Sequence, residues 1–324
     1  MRQIKVFMLV WAAVGLAACS SDDNDINDKD RVQSLPLTIT VSETPLRNTD
    51  DPASVRSTRA AVTTTSTLTE FTLDYQYVRG ADLQHGSYQV QKDGAGNWSG
   101  GYWPTDAGND TNVSWYAHTG GTMPDEENYI NFTVEELASK QNDLLVATAT
   151  GTQTSTGGNL NFTFDHACTA LRFYVKKATN LNDYTLTLTS IKLCNVVNQG
   201  SYSFTNNSWT LGTNRSVYTL YEGFAVELGS ENYILLNANE DDFLFMIPQE
   251  LTALDTSTAI SSATDQTYIM IECSLRKNGE ETNTYDGMAY IPFGANLQAG
   301  YQNDVKINIG MNSLYSVANT KIIQ

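Results

Sequence analysis

The feature that most constrains this chain is a long succession of short segments in which apolar and polar residues alternate. From Glu70 onward, the first of them carries Phe71, Leu73, Tyr75 and Tyr77 on one face, and the last carries Val305, Ile307 and Ile309. Alternation with a period of two is typical of half-buried strands, and clusters of turn residues such as 92–97 separate one segment from the next. Long helical patterns are nearly absent. The sequence therefore predicts an all-β fold, and many short strands at this spacing favour β-sandwiches over βαβ units.

Length and charge narrow the organisation and the function classes. With 324 residues, 41% of them hydrophobic, the chain is long enough for about two domains with sizeable cores. The apolar alternation slips in phase between His166 and Ala170, so we predict one β-sandwich domain over 35–165 and another over 166–324. The formal net charge of -17 argues against nucleic acid as a partner, because phosphate backbones require clustered lysines and arginines.

The N-terminus has the pattern of an export signal. A basic start with Arg2 and Lys5 precedes an apolar core over 6–15 that is too short to span a membrane as a helix, and Leu16-Ala17-Ala18-Cys19 follows. That ending resembles the lipobox of bacterial lipoproteins, which implies removal of residues 1–18 and acylation of Cys19. More than one acyl chain would anchor the protein stably in a bilayer. The alternative is a soluble secreted protein with a cysteine near its cleavage point.

Residues 19–34 are acidic and lack apolar periodicity, so they are predicted to be a solvated tether. An acidic run directly behind the lipidated cysteine resembles the signal that sends lipoproteins of Bacteroides-like bacteria to the outer face of the outer membrane. A calcium-binding loop is the rival interpretation. It fails because, counting from Asp23, neither the glycine of position six nor the glutamate of position twelve is present.

Residues 35–41 are predicted to form a strand that the rest of the chain could lose and would then have to replace. Leu35, Leu37, Ile39 and Val41 share one face, and burying them contributes about 1.5–3 kcal/mol each, in sum comparable with the net stability of a domain. Pro36 cannot donate to a ladder, so an edge or terminal strand is expected. Residues 42–60 are polar, contain prolines and lack either period, which predicts a loop that a protease can reach. The alternative is an ordinary first strand followed by a linker.

The acidic residues and the histidines do not nominate an active site. Neighbouring acids such as Asp241 and Asp242 would point to opposite faces of a strand and would not form an acid–base pair. His85, His118 and His166 lack the spacing of metal ligands, and His166 is predicted to be a hydrogen-bonded core residue. We therefore expect no enzyme activity, no cofactor and no metal site.

Three cysteines remain once Cys19 is lipidated. Cys168, Cys194 and Cys273 each lie in an apolar, strand-like run. Such a position favours a buried free thiol. A single disulfide between two of the three is the alternative in an oxidising compartment.

Large aromatic residues are concentrated between positions 98 and 116. Trp98, Trp103 and Trp115 are the tryptophans of this region. Core filling is the first explanation for them, and a platform on which sugars stack is the second. On the second interpretation the chain would be a glycan-binding surface lipoprotein.

Several short runs stand in order along nearly the whole chain. They are the lipobox ending at Cys19, Ser57-Thr58-Arg59-Ala60, Tyr102-Trp103-Pro104, Val113-Ser114-Trp115-Tyr116-Ala117, Asp143-Leu144-Leu145-Val146-Ala147, Phe164-Asp165-His166-Ala167, Phe245-Met246-Ile247-Pro248-Gln249 and Ala289-Tyr290-Ile291-Pro292-Phe293. Together these runs resemble the fimbrillin (Mfa-like) family of Bacteroidales outer-membrane lipoproteins.

The resemblance implies two transthyretin-like β-sandwich domains in a pilus precursor that reaches the cell surface as a lipoprotein. It implies that an Arg-specific surface protease cuts after Arg59, with Arg56 and Arg47 as alternatives, and so removes the first strand. The emptied groove would accept a strand from another fimbrial subunit, for which Ser313–Gln324 is a candidate donor. The expected function is that of a structural subunit of an outer-membrane fimbrium, in its shaft or at its tip.

Overall fold

The computed structural model describes residues 35–48, 67–237, 242–257, 260–311 and 315–316. These residues are almost entirely in strands, which confirms the predicted all-β fold class. The helices among them are one α-turn, Gln153–Thr156, and three 3-10 turns, Ala138–Lys140, Thr179–Leu181 and Ile260–Ser262. None of the described helices is long and apolar enough to cross a membrane.

Seven of the first nine strands form a closed sheet. The nine are β1 (Thr38–Glu43), β2 (Arg47–Asn48), β3 (Glu70–Arg79), β4 (Asp82–Lys92), β5 (Trp98–Ser99), β6 (Val113–His118), β7 (Tyr129–Thr133), β8 (Leu145–Gly151) and β9 (Asn159–His166). Seven of them are hydrogen-bonded in a ring, in the order β1-β5-β4-β3-β6-β8-β9. Every contact in the ring is antiparallel except the one that closes it, where β1 and β9 run parallel.

The remaining strands form four further sheets, in part with strands named above. They are β10 (Thr169–Lys177), β11 (Tyr184–Val197), β12 (Gln199–Ser203), β13 (Ser208–Leu211), β14 (Arg215–Glu227), β15 (Ile234–Leu235), β16 (Leu244–Met246), β17 (Glu250–Leu251), β18 (Tyr268–Lys277), β19 (Tyr285–Pro292), β20 (Ala295–Asn296), β21 (Tyr301–Ile309) and β22 (Tyr315–Ser316). Two sheets have five strands: β15-β10-β21-β2, to which β16 adds through β10, and β14-β11-β18-β19-β22. The sheets β13-β12-β7 and β17-β20 are smaller.

Alternation in the sequence explains how these strands build the interior. In β9 every second side chain is buried, so that Leu160, Phe162 and Phe164 point inward. The first core consists of such residues between positions 37 and 164. The second core draws on residues 171–309 together with Val134.

A middle core joins residues from both halves of the chain. Its members include Leu46, Ile130 and Leu144 from the first half and Cys168, Tyr202 and Phe245 from the second. The predicted domain boundary at 165/166 falls beside this cluster, between the end of β9 and the start of β10. The middle core packs residues from both sides of that boundary together. The division into two domains stays a prediction.

Candidate functional site

The strand β1 is built into the closed sheet and has neighbours on both sides. On one side it pairs in parallel with β9 over six residue positions. On the other side Ile39 lies opposite Trp98 of β5, and the backbone N–H of Leu37 donates to the carbonyl of Gly101 at 3.0 Å. We call the space that residues 35–44 fill between β9 and the segment 98–103 the strand groove. Removing β1 would therefore open the ring and uncover the first core.

Two buried side chains of this segment, Leu37 directly before β1 and Ile39 within it, belong to that core. Leu37 and Ile39 are 6% and 7% exposed, and Val41 is half-buried. Leu35 is 39% exposed, so the predicted burial of this residue is wrong. The reason is that the strand begins at Thr38, which leaves Leu35 at the rim of the groove.

Two glycines shape the strand groove. A Cβ atom on Gly101 would lie 3.1 Å from Cδ1 of Leu37 and 3.5 Å from Cδ1 of Ile39. Gly158 has a positive φ of 80°, and its carbonyl accepts the backbone N–H of Thr38 at 2.9 Å. The groove thus fits the buried side chains of Leu37 and Ile39 closely at Gly101, which has no side chain of its own.

We expect Gly101→Val to destabilise the intact chain by about 1–3 kcal/mol, because the added methyl groups overpack the contact with Leu37. Gly94→Val is the matched control, since a Cβ atom on Gly94 meets nothing within 4 Å. Urea unfolding followed by circular dichroism measures both free energies. Equal stability of the two variants would contradict a tightly filled groove.

The segment that follows β1 continues from the closed sheet to the second half of the protein. The backbone N–H of Thr44 donates to the carbonyl of Phe164 at 2.8 Å, and Leu46 is buried in the middle core. Arg47 then enters β2, where its N–H donates to the carbonyl of Gly300 at 2.9 Å. The predicted loop over 42–60 is therefore wrong for its first residues. Their pairing depends on distant partners that no local period reveals.

The predicted processing residues fall on different parts of the chain. Cys19, Arg56 and Arg59 lie outside the described residues, so their assignments stay predictions. Arg47 lies in β2, and its guanidinium stands 5.9 Å from the centre of the Tyr301 ring. A protease would have to separate β2 from β21 before it could bind Arg47 in an extended form, which favours the two later arginines.

A buried ion pair joins His166, the last residue of β9, to Asp143. Nδ1 of His166 is 2.5 Å from Oδ2 of Asp143, and the two side chains are 2% and 1% exposed. This contact confirms the prediction that His166 is a hydrogen-bonded core residue. Burial lowers the pKa of His166, but the hydrogen bond and charge of Asp143, with the charges of Glu43 and Asp165, outweigh it, so that the pKa lies above its ordinary value.

This raised pKa predicts how stability depends on pH. The folded state holds the His166 proton more tightly than the unfolded state, in which the pKa of this histidine is about 6.5. The contribution of His166 to the free energy of unfolding is therefore complete below about pH 6.5. It is lost as the pH rises through the folded-state pKa, with a slope of at most about 1.4 kcal/mol per pH unit. We expect urea unfolding across this window to show the slope in the native chain and to lack it in His166→Gln. Parallel curves for the two proteins would contradict the assignment.

Two of the three tryptophans that the sequence suggested as glycan platforms are buried. Trp103 and Trp115 are 3% and 0% exposed and stand 5.8 Å apart inside the first core, so the stacking prediction is wrong for both. Trp98 is half-buried and packs against Phe71 at 5.2 Å. Core filling explains these residues, because their rings occupy the inward face of the closed sheet. Trp98 in addition borders the strand groove opposite Ile39.

The described cysteines are not arranged as a reactive centre. Cys168, Cys194 and Cys273 are buried and free, which confirms the first of the two alternatives. Burial raises the pKa of the Cys168 thiol, that of Cys194 to about 11 and that of Cys273 to about 12. Within the described ranges no three His, Cys, Asp or Glu side chains are placed to hold a metal ion.

Solved structures that align with most of this chain come from Parabacteroides and Bacteroides species. One is a candidate cell adhesion protein from Parabacteroides distasonis, with a TM-score of 0.52, 10% identity, and coverage of 87% of this chain and 90% of that one. Another is a fimbrial protein from Bacteroides vulgatus, with a TM-score of 0.48, 14% identity, and coverage of 86% and 96%. The first of these shows a shared fold. No curated protein sequence matches the chain.

The family assignment rests on the sequence of most of the chain. A family model described as fimbrillin-like matches residues 50–322, which include every described strand after β2. The match begins at residue 50 and so does not include residues 35–44, which fill the strand groove. The chain belongs to the fimbrillin-like family.

Proposed function

We propose that this chain is a structural subunit of a cell-surface fimbrium and that it polymerises by exchanging its first strand. Membership of the fimbrillin-like family makes it a structural protein and not an enzyme. In the proposal, residues 1–18 direct export, Cys19 carries the lipid, and residues 19–34 are the tether at the outer membrane. An Arg-specific protease then cuts after Arg59 or Arg56.

The observation that carries the proposal is the position of β1. It completes a closed sheet and covers the first core with Leu37 and Ile39. Yet it is joined to the rest of that sheet only through the long connection between Asn48 and β3. A cut in this connection would leave β1 held by non-covalent contacts alone. Another strand with apolar residues at the same spacing could then take its place.

The direction of β1 supports replacement by a strand of the opposite direction. The pairing of β1 with β9 is the parallel contact in an otherwise antiparallel ring. Parallel pairs are slightly less stable per residue than antiparallel ones. A donor that runs the other way would pair with β9 in the more stable arrangement. The same donor would run parallel to β5 and Tyr102, where the segment is antiparallel now, so the gain is confined to the longer β9 side.

The donor in this proposal is the end of a neighbouring subunit, Ser313–Gln324. Its apolar residues could fill the strand groove as those of β1 do. In the single chain, Tyr315 and Ser316 pair with Tyr290 and Ala289 at the outer edge of a five-stranded sheet. In the proposal, these two described residues leave that pairing when the segment moves to a partner.

Trimming of the purified full chain by an Arg-specific protease tests the proposal. We expect ladders of multimers on gels run in cold detergent without boiling, and a change in tryptophan emission as the surroundings of Trp98 change. Arg56 and Arg59 replaced together by Lys should block both. A trimmed chain that unfolds, or that stays monomeric at high concentration, would contradict strand exchange. Mass spectrometry of surface-sheared protein would identify the cut site and the lipid on Cys19.

A further inference from the structure

The outer face of the closed sheet carries a polar cavity that shares no lining residue with the strand groove. It has a volume of about 390 Å³ and lies over β3, β4 and β6. Its floor is made of outward side chains on neighbouring strands, and residues 121–126 form its roof. This volume lies in the range of small-molecule sites, which is about 300–1,000 Å³.

The floor of the polar cavity places hydrogen-bonding groups on adjacent strands. Asp74 of β3 lies opposite Ser87 of β4, and Gln76 lies opposite His85. Oδ2 of Asp74 accepts a hydrogen bond from Nε2 of His118 at 2.8 Å. Among the described residues, neither Oδ1 of Asp74 nor the hydroxyl of Ser87 has a hydrogen-bond partner. An acceptor and a hydroxyl therefore remain free side by side.

The imidazole of His118 fixes the orientation of the Asp74 carboxylate. His118 is 3% exposed as a side chain, and its other ring nitrogen, Nδ1, lies 2.7 Å from the carbonyl of Gly120. The imidazole of His118 therefore lies between the carboxylate of Asp74 and the carbonyl of Gly120. The imidazole thus holds Asp74 in one position, as expected for a group that orients a ligand.

Hydrogen bonds connect the loop that forms the roof of the polar cavity to the strands around it. The side-chain amide of Gln76 donates to the carbonyl of Glu127, and Thr122 pairs with Asn131 at the base of the loop. Glu126 has a positive φ of 63°, an uncommon conformation for this residue type. Met123 and Pro124 present apolar surface to the cavity. The cavity therefore has a polar floor and a partly apolar roof.

From this arrangement we propose that the polar cavity binds a neutral saccharide, one or two residues in size. Sugar hydroxyls both donate and accept, which suits the free carboxylate oxygen of Asp74 beside the hydroxyl of Ser87. The C–H face of a sugar ring would lie against Met123 and Pro124. An acidic sugar is disfavoured, because Asp74, Asp125 and Glu126 all line the cavity. The protein would thus contact glycans through this cavity and not through its tryptophans.

Saturation-transfer NMR on the full chain tests the proposal. The probes are glucose, galactose, mannose, N-acetylglucosamine and N-acetyllactosamine, with sialyllactose as the acidic comparison. Ser87→Phe places a ring in the cavity, whereas Gln91→Phe places the same ring on the same face of β4 outside it. Both positions are exposed, so both variants should fold. Asp74→Asn is a second variant that removes the charge and keeps the shape.

We expect at least one neutral probe to bind saturably. We expect Ser87→Phe to weaken that binding by about tenfold or more, Asp74→Asn to weaken it, and Gln91→Phe to leave it unchanged. Sialyllactose should bind no more tightly than N-acetyllactosamine. Absence of binding for every neutral probe at tens of millimolar would overturn the proposal. So would binding that survives Ser87→Phe, or a clear preference for the acidic sugar.

Discussion

Replacing Leu37 and Ile39 together by alanine is expected to remove most of the stability of the intact chain. Both side chains are buried against the first core. Truncation of a buried leucine or isoleucine costs about 2–5 kcal/mol, and two such losses are comparable with the whole net stability of a domain, about 5–15 kcal/mol. Urea unfolding at neutral pH measures the change.

The matched control replaces Thr38 and Thr40, which lie on the exposed face of the same strand. We expect that variant to lose less than about 1 kcal/mol, because surface substitutions in a strand act mainly through propensity. If the two double variants lost the same free energy of unfolding, the contribution of β1 to stability would come from its backbone pairing. The first core would then not depend on the strand groove being filled.

The second large effect is expected for Asp143→Asn. Removing one partner of a buried ion pair costs about 3–5 kcal/mol, because the remaining charge is left without compensation. Here His166 is the remaining partner, at the end of the strand that pairs with β1. The loss should be largest at acidic pH, where His166 is charged, and smaller at alkaline pH. Thermal unfolding across this pH range provides the measurement.

Asp165→Asn is the control for that variant. Asp165 is adjacent to His166 in sequence, but its side chain is exposed on the opposite face of β9. Its removal should change the unfolding free energy by a few tenths of a kcal/mol, as is usual for exposed carboxylates. A loss from Asp143→Asn no greater than that of the control would mean that the pair contributes little.

The local sequence pattern was sufficient to predict strands in which one face is apolar and the other is polar. The alternation of Leu160, Phe162 and Phe164 predicts β9 and its inward face, and the structure has both. Core filling by Trp103 and Trp115 and the hydrogen-bonded core position of His166 follow from the same pattern. In each of these places the side chains themselves decide which face is buried.

Other features depend on partners far away along the chain. The sequence does not reveal that β1 runs parallel to β9, because direction is set by the path of the chain and not by the residues of the strand. Burial of Leu46 escaped prediction, since it is a single apolar residue in a polar stretch. The polar cavity likewise combines Asp74, Ser87 and His118, which become neighbours only when three strands pair.

The central claim is that residues 35–48 form a replaceable part of the folded protein. Native mass spectrometry of the full chain tests it directly, after an Arg-specific protease has cut between residues 49 and 66 and an isotope-labelled 35–48 peptide has been added in excess. We predict that the cut fragment stays bound at first and then exchanges for one labelled peptide per chain, faster when Leu37 and Ile39 of the chain are alanine. A cut chain that has released its fragment, keeps its full unfolding free energy and takes up no peptide would contradict it.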